Sequence, residues 1–204
     1  LPIYWFGTTG NWTDASKWFL GTGGTGGAGR VPLIQDTAIF DANSFVATGN
    51  TVTVDFANIG PTNWTGSLPG QTFTWSQNMR CYGSMNLTTN TTLPSAFGLT
   101  FVGRMASTLT TAGNTFGGSV TISQVGFGMT LQDDLALAST RTLTLFVGSL
   151  NANRCVQLSF PALKAHLALA LALGVLLFQR GKLRLLLQLH AGHLRFHRVP
   201  VRIG

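Results

Sequence analysis

The stretch TLTTAGNTFGGSVTISQVGFGMTLQDDLAL (residues 108–137) decides how this chain is read. Short runs rich in Thr, Val, Ile and Leu (STLTT at 107–111, SVTIS at 119–123, MTLQD at 129–133) alternate with Gly, Asn, Asp and Ser. Apolar and β-branched residues at a period of two suit strands, and the small polar residues between them suit turns. The stretch also repeats itself. TLTTAG at 108 is followed by MTLQDD at 129 and GSLNAN at 148, at spacings of 21 and 19 residues.

Working outward, further strands are predicted at TVTVDF (51–56), QTFTW (71–75), SMNLTT (84–89), LTFVG (99–103) and RTLTLFV (141–147). Taking Val52, Phe73, Leu99, Val120 and Leu143 as equivalent positions gives spacings of 21, 26, 21 and 23 residues. A near-repeat of roughly 20–25 residues is the size of one coil of a β-solenoid. One coil cannot bury its own apolar side, but stacked coils bury it for each other. The rival architecture is a β-sandwich, which also shows short, evenly spaced strands. Its hairpins usually carry Asn-Gly or Asp-Gly turns, and neither dipeptide occurs here. The expected fold is therefore all-β: a parallel β-solenoid with no sustained helical pattern in its body.

Composition agrees. Only 9% of the 204 residues are charged and Glu is absent; Thr, Gly, Asn and Ser take that space. Such a chain suits an extracellular location, a bacterial cell surface or a virion. It begins at Leu1 with no basic-then-apolar leader, which reads as a processed product or an internal fragment.

The net charge of +7 is concentrated at one end. Residues 1–154 hold six basic residues and all six acids, while residues 155–204 hold seven Lys and Arg, all four His and no acid. The 27 Thr and 11 Asn all lie before position 155. Three readings of this Leu-, Ala- and Arg-rich tail compete: a membrane-seeking segment, an amphipathic helical pair, or out-of-frame translation. Leu167–Phe178 is too short for an ordinary spanning helix, though the basic, Leu-rich remainder suits an anionic bilayer. The third reading is favoured, because whole residue types vanish at one point. It expects another frame of the coding DNA to continue with Thr- and Asn-rich coils. On any reading, the charge does not signal nucleic acid, because the body lacks interleaved basic and aromatic residues. The organisation expected is a capping segment over 1–49, coils over 50–154 and a tail over 155–204.

The N-terminal segment YWFGTTGNWTDASKW (residues 4–18), then a Gly-rich stretch, then VPLIQDTAIFDANSF (31–45), carries a resemblance. It is similar to the opening of a large group of bacterial surface and phage structural proteins. TLTTAGNTFGGSVTI, MTLQDDLAL and RTLTLFVGSLNAN resemble their later coils. The resemblance covers about residues 4–153 and implies a right-handed parallel β-helix of the adhesin or autotransporter-passenger kind. At SLNANR the pattern would continue with another coil, but CVQLSFPALKAHLALALALG stands there instead.

A solenoid must close its first coil, or its apolar stack meets water and its edge recruits strands. Tyr4, Trp5 and Phe6 read as a lead-in strand. Asp14 is placed to cap one helical turn, ASKW, with Trp18 on its inner side. Trp12, Trp18 and Phe40 would then cover the end of the stack. The alternative makes the tryptophans an exposed, coplanar platform for a sugar.

Other motifs point to structure. GTGGTG (21–26) fits a dinucleotide fingerprint, but Gly and Pro32 follow where a helix should start, so a surface loop is expected. Asp36 and Asp41 suit turns better than calcium, which needs about six or more oxygens. Asp133 and Asp134 are adjacent and would point apart on a strand, so a coil corner suits them. Ser-His-Asp catalysis lacks a histidine in the body. His190, His193 and His197 would share a helical face, yet they lie in the suspect tail. Four N-x-T sequons, at Asn11, Asn63, Asn86 and Asn90, are expected by chance in so Thr-rich a chain. Cys81 and Cys155 read as buried free thiols rather than a disulfide. No catalytic, cofactor-binding or metal-binding residue is expected.

The function expected is a non-enzymatic structural or adhesive rod whose partners are a glycan, a host surface or further copies of itself. The alternatives are a carbohydrate-active enzyme or glycan-binding module on the same scaffold, and a membrane-associated protein acting through the tail.

Overall fold

A computed structural model of the chain describes residues 1–152, apart from Ser67 and Asn90. The expectations for the tail, Cys155, His190, His193 and His197 lie outside the described residues.

The chain winds into a parallel β-solenoid of about five turns. It opens with β1 (Pro2–Trp5), β2 (Gly10–Asn11) and β3 (Trp18–Phe19). The first full coil holds β4 (Thr37–Asp41), β5 (Thr51–Val54) and β6 (Asn58–Ile59). The second holds β7 (Thr62–Thr65), β8 (Gln71–Trp75) and β9 (Met79–Cys81). The third holds β10 (Met85–Asn86), β11 (Thr91–Thr92) and β12 (Leu99–Val102). The fourth holds β13 (Ser107–Thr110) and β14 (Thr115–Phe116), and then β15 (Val120–Leu131) turns a corner into the fifth. β16 (Ala136–Leu137) and β17 (Leu143–Ala152) complete the described chain.

Stacked strands form three faces. Face one runs β1–β4–β7–β10–β13 and on through the ends of β15 and β17. Face two runs β2–β5–β8–β11, with β14–β16 as a separate pair in the coils below. Face three runs β6–β9–β12 and through the starts of β15 and β17. Every one of these ladders is parallel, which excludes the sandwich. Only the N-terminal closure, β1 with β3, pairs antiparallel in a ladder.

Register measures the coil. Ala38 pairs with Thr62, Thr62 with Met85, Met85 with Leu109 and Leu109 with Leu131. The repeat is thus 21 to 24 residues on this face, counting Leu131 with Ala152. Val52 does pair with Phe73, and Leu99 with Val120 and then Leu143. Phe73 and Leu99 are not equivalent, however. The 26-residue step between them crosses from face two to face three, and Leu99 pairs with Met79. The second series slips similarly: Met129 pairs with Ser107 and Leu150. Strands β6, β11, β14 and β16 are two residues each, too short to show alternation. Neighbouring coils hold them in place.

Alternation fixes the core. In β5 and β8 the inward Val52, Val54, Phe73 and Trp75 are buried, while the Thr between them are half-exposed. The inward stack is aromatic near the N-terminus (Trp5, Trp12, Trp18, Phe40, Trp64, Phe73). It becomes aliphatic below, at Met85, Leu99, Leu109, Val120, Ile122 and Leu131. Cys81 lies within the stack as a free thiol, and burial pushes its pKa up to about 12.

Candidate functional site

Trp5, Trp12, Trp18 and Phe40 are all fully buried. Trp18 meets Trp5 edge-on at 5.2 Å and Trp12 at 4.8 Å between ring centroids. Phe40 stacks on Trp64 at 4.2 Å, with the planes 12° apart. These residues close the stack and offer no face to a sugar. The local chain explains why. Asp14 accepts from the Ser16 backbone N–H at 3.0 Å and from its hydroxyl at 2.6 Å, and so caps a 3₁₀ turn over Ala15–Lys17. Those bonds, the hydroxyl first, hold the Asp14 pKa below its ordinary value. The turn delivers Trp18 inward, where its indole N–H donates to the Trp12 carbonyl at 2.8 Å. The indole N–H groups of Trp5, Trp12 and Trp64 have no partner. Their rings are held by packing.

Five of the six aspartates are engaged by neighbouring donors. Asp36 is buried and takes both guanidinium nitrogens of Arg30 and the Leu33 N–H, the latter at 2.8 Å. The Arg30 hydrogen bond is the chief cause that lowers its pKa to about 2. Asp41 accepts from Thr22 Oγ1 at 2.6 Å and the Asn43 N–H at 2.9 Å, tying the Gly-rich surface loop to β4. Asp55 accepts from Thr13 N–H at 3.0 Å and Thr13 Oγ1, and Asp133 from the N–H groups of Thr111 and Ala112. Asp133 and Asp134 do sit at a coil corner, between β15 and β16. Among the described residues no group of three or more His, Cys, Asp or Glu could hold a metal ion.

Two surfaces remain. Face two is a neutral array. Thr51 pairs with Thr72 and Thr53 with Thr74, and Thr72 pairs on with Thr92. The rungs of such a ladder are about 4.8 Å apart, and alternate residues on one strand about 6.7 Å. Threonine is stiff at χ1, so the hydroxyls are largely preset.

The other surface is the corner where face three turns into face one. It spans Gly60–Pro61 in the first coil, Tyr82–Ser84 in the second, Gly103–Ala106 in the third and Gln124–Phe127 in the fourth. The fifth coil closes it with Gly148 alone, opposite those last four residues. Gly148 has φ +103°, and a Cβ there would lie 2.4 Å from the Gln124 carbonyl oxygen, so only glycine fits. The corner encloses an open groove of about 880 Å³. The sequence reading treated 103–106 and 124–128 as turns and missed the groove. The available signal was Met105, Val125 and Phe127, large apolar residues beside turn glycines.

The fold and these surfaces define a class: a parallel β-solenoid closed at its N-terminal end by buried aromatics. Compared with family models, curated proteins and solved structures, the chain matches none of them.

Proposed function

We propose that this chain is a structural and adhesive rod segment that works at a bacterial surface or on a virion. The observation that carries this reading is the unbroken parallel ladder of face one, from β1 to β17, under an aromatic closure. Each coil buries its neighbour's apolar side, so length is added without a new core. Most of the carboxylates are used to join loops and coils, which supports a non-catalytic role. The threonine array of face two presents preset, uncharged hydroxyls and suits a neutral polymer such as a glycan.

The test is incubation with a panel of neutral polysaccharides, read for both retention and chain cleavage. The expected result is retention without new chain ends, reduced by Thr53→Glu and Thr74→Glu. New reducing or unsaturated ends would overturn the reading in favour of an enzyme, and no retention would overturn the adhesive role.

A further inference from the structure

The corner groove differs from every other outward surface of the coils. Outward positions elsewhere are mostly Thr, Asn and Ser, yet here Met105 is 76% exposed, Val125 66%, Phe127 43% and Ile34 42%. A cluster of large apolar side chains held in water marks a surface used for contact. Its volume falls within the usual range of small-molecule sites.

Charge narrows the ligand. Arg104 is the one charged side chain lining the groove, and it makes no ion pair among the described residues. A sugar would set its hydroxyls against aliphatic carbon, and a polyanion would find a single cation. An alkyl chain with one negative head group satisfies both the lining and the charge. We propose that this groove binds a single-chain anionic amphiphile, an alkyl carboxylate. Its chain lies along Met105, Val125 and Phe127, and its head group meets Arg104. This is independent of the threonine array, because it uses a different side of the coil.

Calorimetric titration with alkyl carboxylates of increasing length, below micelle formation, tests it. Alkyl trimethylammonium ions and alkyl maltosides of equal length serve as comparisons, with anionic lipid vesicles as a further arm. Affinity should rise with each methylene, by at most about fourfold, and the carboxylate should bind about tenfold more tightly than the ammonium ion. Arg104→Gln should remove the head-group preference and keep the length dependence. The double variant Val125→Asn, Phe127→Ser should remove the length dependence and leave the melting curve unchanged, since both side chains are exposed. Equal affinity for all head groups, no length dependence, or undiminished binding by the double variant would overturn the proposal. Binding to vesicles alone would overturn it in favour of a membrane surface.

Discussion

The two ends of the described rod are built from the same repeat but finished differently. At the N-terminal end, Trp5, Trp12, Trp18 and Phe40 are fully buried under a capped turn. In β17, the inward partner of buried Ile122 is Leu145, which is 49% exposed, and Phe146 bulges out at 78%. Among the described residues no strand pairs with the far edge of β17. In a solenoid, burial is supplied by the next coil, so identical patterning gives a core at one level and a half-wet surface at another. The closure therefore contributes more stability than any single coil.

Substitutions can break this comparison. The largest effect should come from Phe40→Ala, which opens a cavity among five aromatic neighbours and should cost about 3–5 kcal/mol in denaturant unfolding. Leu145→Ala, the same kind of truncation at the other end, should cost under about 1 kcal/mol. Equal losses would show that the ends are alike.

Asp133→Ala should cost about 2 kcal/mol, because it strands the Thr111 and Ala112 N–H groups of the coil above. Acid should act next. Asp36 has a lowered pKa, so its contribution is full above the ordinary carboxylate value and is lost as pH falls from about 4 through about 2. Arg30 is half-exposed, so screening limits the loss to about 1 kcal/mol. Asp36→Asn should flatten that part of a stability–pH curve. Trp18→Phe should cost more than Trp5→Phe by about 1 kcal/mol, since only Trp18 donates a hydrogen bond. Phe146→Ser, the smallest change, should shift stability by less than about 0.5 kcal/mol.

The legible parts of this molecule were those with local cause. Strict alternation exposed β5, β8 and β12, and Asp14 announced its cap one turn ahead of Trp18. The face to which a strand belongs was not legible, because register depends on corner length and corners here vary from one residue to four. That is why Phe73 and Leu99 looked equivalent and were not. The groove was hidden for the same reason: Met105, Val125 and Phe127 lie far apart in sequence, and only stacking brings their corners together.

Native-state hydrogen exchange, resolved residue by residue, tests the central claim most directly. Protection should be greatest in β4 and β7, beneath the aromatic closure, and fall coil by coil to its lowest values in β17. Protection of β17 amides equal to that of β7 would contradict the account.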